Sequence, residues 1–297
     1  MKNIKVTLAA LRSILIDPNR NLELVKEACQ TARRDGARLL LLPEMMLTGH
    51  GGHSMMEENA EPVPEGPLSQ AVLELSKEYQ LCICVGIAEL ADGMVYNSQM
   101  VVDKGVYLGL QRKINMSGDE YRYFACGERV EVFDIGDIRF GVTICYDNNF
   151  PEIAFIHHLH KVDLILAAHA ARTGEWPDPM TTAFRERIIA ERQNSWEKMF
   201  RGTAYFHNLY ILACNAVGSS TEGLEGVVSN HAGTVMGVDP TGEVFLRTSV
   251  SDFVDEVVTV ELEASKRVFN HKPTRNRRLP VVKRMLNDAF QQANEGV

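Results

Sequence analysis

The chain has 297 residues, of which 45% are hydrophobic and 24% are charged, a composition typical of globular proteins. Its formal net charge of −8 argues against a nucleic-acid-binding surface. No apolar run reaches the roughly 18 residues that a membrane-spanning helix needs. We therefore expect neither a nucleic acid nor a membrane as a partner. The basic stretch 275–278 (RNRR) fits a solvated terminal face better than a phosphate site.

The termini and cysteines indicate the compartment. The first residues, MKNIKVTLAAL, alternate like a strand and lack a signal-peptide cleavage pattern. The six cysteines are scattered without the spacing of a disulfide framework, and Cys82 and Cys84 fit packing positions on one face of a strand. We therefore expect reduced thiols and a cytoplasmic protein.

The first half of the chain alternates predicted strands and helices. Residues 4–11 form a strand, residues 22–34 a helix with Asn21 as its N-cap, and the apolar run 39–42 a second strand. A strand–helix–strand unit of this kind predicts two parallel strands. A helix at 68–79 and strands at 81–88, 94–102 and 106–111 follow.

The second half repeats this alternation. A predicted hairpin at 130–135 and 138–144 leads to a helix at 153–159, a strand at 162–168 and a long helical region at 181–208. Later strands are predicted at 209–217, 234–238, 243–247 and 256–262, before a helix at 281–293. Composition shows no linker-like change, so we expect an α/β protein with a single domain over 1–297. Its tail, 264–297, is expected to dock on a partner subunit.

Three chemically active side chains follow predicted strands directly: Glu44, Lys113 and Cys145. Sheets of this kind place their chemistry at the carboxyl ends of strands. A thiol needs a base to become a nucleophile, a carboxylate can be that base, and an ammonium can stabilise an oxyanion. The backbone N–H of Tyr146 is a natural second oxyanion donor. The simpler interpretations are a small core cysteine and a structural ion pair between Glu44 and Lys113.

Three separated segments carry a family resemblance. LLLLPEMMLTGH, LQRKINMSGDEYRYFACGE and GVTICYDNNFPE resemble, in order and spacing, the three catalytic blocks of the nitrilase superfamily of carbon–nitrogen hydrolases. YFHNLYILACNAVG and HAGTVMGVDPTGEV also resemble that family, so the match extends over nearly the whole chain. The resemblance implies a four-layer α-β-β-α sandwich, a Glu–Lys–Cys triad, and no metal or organic cofactor.

The resemblance also implies a role for each catalytic residue. Glu44 corresponds to the general base, Lys113 to the cation that stabilises the oxyanion, and Cys145 to the nucleophile that forms the acyl intermediate. Glu120 matches the second glutamate of many members, which orients the lysine and the substrate. Asp119 is the neighbour that could take this place instead, and Glu120 could also be a surface acid.

The segments around the cysteine favour one branch. Nitrilases of the family usually have Trp-Glu after the cysteine, whereas this chain has Tyr-Asp-Asn-Asn-Phe-Pro, a pattern more like amidases and N-carbamoyl amide hydrolases. Asn149 stands in a turn where some carbamoylases have arginine, and Asn115 where many members have histidine. Tyr146, Asn149, His169 and Arg172 are the expected substrate-binding residues.

Two of the neighbouring assignments stay open. His169 is either a pocket wall or a core residue, and Arg172 either binds a substrate carboxylate or is a solvated loop residue. His157, His158 and His160 follow the spacing of one helix, which favours packing or solvent exposure over a metal site.

We therefore expect a hydrolase that cleaves a small amide or N-carbamoyl compound through a thioester on Cys145. A nitrilase and a catalytically silent binding protein are the alternatives. The resemblance further implies a homodimer in which the helix at 153–159 and part of 181–208 pack across a two-fold axis.

Overall fold

A computed structural model describes residues 1–248, 253–267 and 271–295 of the chain. The elements of the first half are β1 (Ile4–Ala10), α1 (Pro18–Arg34), β2 (Leu39–Leu41), α2 (Met55–Glu58), α3 (Pro67–Tyr79), β3 (Cys82–Ala91), β4 (Met94–Asp103) and β5 (Val106–Arg112). Those of the second half are β6 (Val132–Asp134), β7 (Arg139–Ile144), α4 (Pro151–Leu159), β8 (Leu164–His169), α5 (Thr182–His207), β9 (Tyr210–Asn215), β10 (Val217–Ser219), β11 (Asn230–Ala232), β12 (Val235–Val238), β13 (Val244–Arg247), β14 (Glu256–Leu262), α6 (Lys272–Arg275) and α7 (Leu279–Glu295).

The described strands form two six-stranded sheets and a small two-stranded one. The first sheet has the order β14-β1-β2-β3-β4-β5, and β1, β2 and β3 are parallel, as the strand–helix–strand unit predicts. The second has the order β13-β12-β9-β8-β7-β6, with β7, β8 and β9 parallel. Because β4 is antiparallel to both β3 and β5, β5 runs in the same direction as β2. The carboxyl ends of β2 and β5 therefore lie at the same edge.

The two sheets pack face to face between outer helices. One apolar cluster fills the space between the sheets and includes Leu8 and Leu41 from the first and Val142 and Leu166 from the second. A second cluster joins the other face of the first sheet to α1 and α3, and a third joins the other face of the second sheet to α5. This is the expected four-layer α-β-β-α sandwich, in which each sheet is buried on both faces. Cys82 and Cys84 belong to the inter-sheet cluster.

The start of α1 differs from the sequence-based prediction. The helix begins at Pro18, and the N-cap is Asp17, whose side chain accepts a hydrogen bond from the backbone N–H of Arg20. Asn21 is instead a buried residue in the first turn, and its amide bonds both the N–H and the carbonyl of Ile14. The prediction of Asn21 as N-cap was therefore wrong, because a proline at N1 moves the helix start upstream.

The C-terminal region has the predicted helix, which begins at Leu279. Residues 268–270 and 296–297 of the predicted tail lie outside the described residues. Within the part of the chain that the structure describes, no helix combines the length and apolar character needed to cross a bilayer.

Two glycines permit close approaches beside functional positions. A Cβ atom on Gly86 would lie 2.1 Å from the backbone nitrogen of Met45 and 2.6 Å from the carbonyl carbon of Glu44. A Cβ atom on Gly141 would lie 2.1 Å from Nδ1 of His157, whose imidazole is buried against β7. At Gly86, β3 therefore approaches the segment around Glu44 more closely than a residue with a side chain would allow. At Gly141, β7 approaches α4 in the same way.

We expect Gly86→Ala to destabilise the fold by at least about 1–3 kcal/mol, the range for an overpacked core, because the clash is with backbone that cannot rotate away. The free energy of unfolding in urea measures the effect. Gly202→Ala is the matched control, since its nearest contact would be 3.9 Å away on Phe206 and alanine favours a helix. Equal stability of the two variants would contradict the prediction.

Candidate active site

Three strand ends converge on one cavity of about 280 Å³. Glu44 follows β2, Lys113 follows β5, and Cys145 follows β7 of the opposite sheet. All three line the cavity, with the aromatic and polar side chains of α5 across from them. The convergence predicted from the strand ends is therefore present in the structure.

A buried ion network holds Lys113. Its Nζ donates to Oε1 of Glu44 at 2.8 Å and to both carboxylate oxygens of Glu120 at 2.6 and 2.7 Å. The three side chains of Lys113, Glu44 and Glu120 are only 1%, 0% and 4% exposed. The second oxygen of Glu44 accepts from the backbone N–H of Ala170, which follows β8, at 2.6 Å. The network therefore joins the two sheets at the cavity.

The structure distinguishes between Glu120 and Asp119 as the second acid. Glu120 is buried beside Lys113, and its carboxylate also accepts from the backbone N–H of Ser117 at 2.7 Å. Asp119 points elsewhere and forms a two-pronged ion pair with Arg172. Glu120 is therefore the acid that contacts the lysine, and its catalytic role stays a prediction.

Cys145 lies in a constrained turn. Its φ of 46° is in the left-handed region, which is costly for a residue with a side chain and persists only where the surroundings enforce it. Cys145 is also the first residue of a short 3₁₀ helix, Cys145–Asn149. The buried carboxylate of Asp147 accepts from the backbone N–H of Asn115 at 2.8 Å and so ties this turn to the loop after Lys113. The turn places a half-buried thiol at the cavity wall.

The protonation states follow from burial and charge. Burial and the nearby Glu44 carboxylate raise the pKa of the Cys145 thiol, so the thiol is protonated at rest. Burial is the largest influence on the pKa of Glu44 and works to raise it, but the charge of Lys113 and its hydrogen bond, with a contribution from His50, together outweigh burial and the net shift is downward. Burial also opposes ionisation of Lys113, yet the two glutamates raise its pKa. The site at rest thus combines a neutral thiol, an ionised carboxylate and a fixed ammonium.

The flanking carboxylates shift in opposite directions. Burial works against ionisation of Glu120, but the hydrogen bond with His50 and the charge of Lys113 lower its pKa to about 2. Burial raises the pKa of Asp147 to about 6, although the hydrogen bonds from Asn115 counteract it. Glu120 is therefore ionised at neutral pH, as a partner of Lys113 must be.

The expected substrate-binding residues all line the cavity. Tyr146 and Asn149 are exposed at its mouth, and the Asn149 amide donates to the carbonyl of Tyr146 at 3.0 Å. His169 is both a wall of the cavity and a core residue, because its buried ring packs 4.6 Å from that of Trp196. Arg172 lines the cavity with its guanidinium already paired with Asp119.

Several residues of the site escaped sequence analysis. His50 lies 3.2 Å from Glu120 through Nε2, and Asn97 on β4 donates to Oε1 of Glu44 at 2.8 Å. His50 ends the first catalytic-like segment, so its position beside Glu44 was a usable signal. Asn97 gave no such signal, since only strand pairing places it there. The α5 residues Arg192, Ser195, Trp196 and Met199 also line the cavity.

The clustered histidines of α4 do not form a common site. His157 is buried under β7 with its ring against Val142, whereas His160 is exposed. Glu44, His50 and Glu120 do offer ligand atoms within 4.8 Å of one another. The ammonium of Lys113 contacts both of these carboxylates, so a cation already neutralises the position where a metal ion would bind.

The comparison with known families agrees with this geometry. The sequence model described as carbon-nitrogen hydrolase matches residues 5–267. The chain therefore belongs to the carbon–nitrogen hydrolase family, within the nitrilase superfamily.

Individual relatives have varied activities. A nitrilase of Pyrococcus abyssi is 32% identical over 57% of this chain and 64% of its own length. A glutamine-dependent NAD(+) synthetase of Thermotoga maritima is 30% identical over 89% of this chain but only 42% of its own. An N-carbamoylputrescine amidase of Solanum lycopersicum is 27% identical over 89% of this chain and 88% of its own. The chain thus spans less than two thirds of the first two relatives.

A solved structure supports the fold. The amidase of Nesterenkonia AN1, a nitrilase-superfamily member, superposes with a TM-score of 0.74 over 95% of this chain and 97% of its own, at 18% identity. At this identity the likeness establishes the architecture of the two sheets and their outer helices.

We expect His169 to make stability depend on pH. Burial lowers the pKa of His169 to about 3, whereas an unfolded histidine titrates near 6.5. A depressed histidine pKa gives stability that is present above pH 6.5 and lost as the pH falls towards 3. Lowering the pH from 7 to 5 should therefore reduce the free energy of unfolding by about 2 kcal/mol through this group.

The measurement is the free energy of unfolding at pH 7 and pH 5. His169→Phe keeps an aromatic ring against Trp196. Between pH 7 and pH 5 its free energy of unfolding should fall by about 2 kcal/mol less than that of the unaltered protein. His160→Phe, at an exposed position, should behave like the unaltered protein. An unchanged pH dependence of the free energy of unfolding in His169→Phe would contradict this prediction.

Proposed function

We propose that this chain hydrolyses a small amide or N-carbamoyl compound through a thioester on Cys145. The observation that supports this proposal most directly is the convergence of a thiol, a buried carboxylate and a buried ammonium on one cavity. In a glutamate-to-glutamine mutant of the Nesterenkonia amidase, the acetamide moiety of fluoroacetamide adds covalently at the active-site cysteine, so in that relative the cysteine is the reactive nucleophile.

The first half of the reaction forms the acyl-enzyme. Glu44 takes the proton of Cys145 as the sulfur attacks the carbonyl carbon of the amide. The proton then passes to the leaving nitrogen, the C–N bond breaks, and ammonia or an amine departs from a thioester. The raised pKa of the thiol makes this base necessary, and the lowered pKa of Glu44 keeps the base ionised before substrate binds.

The oxyanion of the tetrahedral intermediate needs a preorganised positive charge. Lys113 is fixed by Glu44 and Glu120 and does not have to reorient, which is the condition for efficient electrostatic stabilisation. The backbone N–H of Tyr146 is the proposed second donor. Glu120 orients Lys113 in this scheme.

The second half of the reaction mirrors the first. Glu44 deprotonates a water molecule that attacks the thioester carbon, and the proton returns to the departing sulfur. The products are a free Cys145 and a carboxylic acid, or a carbamic acid if the substrate is an N-carbamoyl compound. No redox partner is required, so atoms and charges balance with water as the sole co-substrate.

A nitrilase is the second candidate, favoured by the identity with the Pyrococcus abyssi protein. The turn after Cys145 argues for an amide, because it lacks the Trp-Glu pair of nitrilases. All six cysteines are free, which supports a reducing, cytoplasmic setting for an enzyme that depends on a thiol.

We expect Cys145→Ala to abolish ammonia release from amides, N-carbamoyl amino acids and nitriles while leaving the thermal midpoint nearly unchanged. Cys145→Ser should also be nearly inactive, because a hydroxyl is much harder to deprotonate. Cys126→Ala is the matched control, since that exposed thiol lies outside the cavity. Substantial turnover by Cys145→Ala would refute the assignment of the nucleophile.

The same assay separates the remaining possibilities. Acid formed from a nitrile but never from the matching amide would favour a nitrilase. Failure of Cys145 to react with any amide or electrophilic probe would favour a silent binding protein.

Lys113→Met should slow turnover by about 10²–10³, the size expected for loss of an oxyanion donor.

We further propose a homodimer built on α4 and part of α5. Ile156 and Leu159 of α4 are 36% and 45% exposed, and Phe206 of α5 is 55% exposed, which is unfavourable for apolar side chains in water. Because α4 directly follows the Cys145 turn, pairing would brace the nucleophile. The tail helix α7, with Phe290 67% exposed, would dock on the partner.

We expect Ile156→Glu to dissociate the dimer and lower activity, because a charge in the interface is left unpaired. Sedimentation at micromolar protein measures the mass. Leu108→Glu on β5, a similarly exposed apolar position, is the control and should remain dimeric. A monomeric, fully active unaltered protein would rule out the dimer.

A further inference from the structure

One face of α5 forms a wall of the cavity and has chemistry that the reaction above does not use. Arg192, Ser195, Trp196 and Met199 line the cavity, and their spacing places them on one side of the helix. Trp196 packs under His169, close to the reacting centre. Arg192 lies one turn before it, which is about 6 Å along the helix axis.

The cations of the cavity differ in their partners. Lys113 contacts the carboxylates of Glu44 and Glu120, and Arg172 forms its two-pronged pair with Asp119. Arg192 has no carboxylate within ion-pair distance among residues 1–248, 253–267 and 271–295. Within the described part of the chain, its side chain makes one long hydrogen bond, from Nη2 to the carbonyl of Arg172 at 3.4 Å.

The donors on this wall are also left without acceptors. The Nε atom of Arg192 is buried and has no hydrogen-bond partner among the described residues, and the same holds for Nε1 of Trp196. A buried N–H without an acceptor is unfavourable, and each such group in a native structure needs an explanation, of which an acceptor supplied by a bound group is one. Both groups can only donate, so a ligand that bonds to them must offer acceptor atoms such as carboxylate oxygens.

We propose that Arg192 binds a carboxylate of the substrate, so that the enzyme selects small amides with a negative charge at the end remote from the scissile bond. A guanidinium can hold a carboxylate through two parallel hydrogen bonds, and partial burial strengthens them. This proposal rests on the assignment of Cys145 as the nucleophile. It makes Arg192 a specificity-determining residue and leaves Arg172 bound to Asp119.

The cavity limits the size of this substrate. A volume of about 280 Å³ is at the lower end for ligand pockets, which favours a short linear amide over a peptide or nucleotide. The amide end would lie against Cys145 and Lys113, and the carboxylate end against α5. The suitable class is the monoamides of short dicarboxylic acids and N-carbamoyl amino acids of similar length.

The test measures binding to the Cys145→Ala protein by calorimetry, so that turnover is not needed. The probes are malonamate, succinamate and glutaramate, each paired with a neutral amide in which an isopropyl group replaces the carboxylate. We expect at least one anionic amide to bind about 10- to 100-fold more tightly than its neutral partner, the size of a charge-assisted contact. Arg192→Gln should remove this difference, and Arg192→Lys should retain part of it.

Arg187→Gln is the matched control. Arg187 lies on the same helix, is exposed, and pairs with Glu191 outside the cavity, so the preference should persist in this variant. The proposal fails if no anionic amide is preferred by the Cys145→Ala protein, or if the preference survives Arg192→Gln. It also fails if Arg192→Gln weakens neutral and anionic amides equally, which would indicate a structural role.

The proposed function fails by a different result. A wild-type protein that releases ammonia from none of the amides, and whose Cys145 resists labelling, would refute the hydrolase. The calorimetric preference for the anionic amides would still decide the role of Arg192 in that case.

Discussion

The burial of the Lys113 ammonium is the constraint on which the rest of the site depends. An ammonium taken out of water is tolerated only with well-placed counter-charges, and Glu44 and Glu120 supply them from 2.6 to 2.8 Å. One of those carboxylates also receives the N–H of Ala170 from the opposite sheet. The same contacts that neutralise the lysine therefore fix the Glu44 carboxylate, and they connect the two sheets at the cavity.

The sandwich makes this network possible by supplying rigid strand ends. β2, β5 and β7 are held by neighbours within sheets buried on both faces, so the residues that follow them have little freedom to move. Gly86 lets the segment at Glu44 pack against β3 at backbone distance. Asp147 ties the cysteine turn to the loop that follows Lys113. In the proposed reaction, this positioning lets the fixed ammonium stabilise the developing oxyanion without reorienting.

The charged side chains of the cavity differ in whether a neighbouring side chain of opposite charge neutralises them. The charges of Glu44, Lys113 and Glu120 are satisfied among themselves, and Arg172 is satisfied by Asp119. Among the described residues, no carboxylate lies within ion-pair distance of Arg192 on α5, the residue that we propose binds the substrate. In a family with nitrilase, synthetase and carbamoyl amidase relatives, a wall formed by a helix outside the catalytic segments is a natural place for specificity to vary.

The sequence by itself determined the alternation of the main strands and helices and the candidate catalytic residues Glu44, Lys113 and Cys145. Apolar runs that stop at Pro43-Glu44, Arg112-Lys113 and Cys145 depend on local patterns, and such patterns are readable from one chain. It could not place the N-cap of α1 correctly, nor choose between Asp119 and Glu120 by residue type. Only the tertiary structure decided those points, and it brought Asn97 to the Glu44 carboxylate and Arg192 to the cavity. The reason is that contacts between residues far apart in sequence depend on strand pairing and helix packing, which no local pattern encodes.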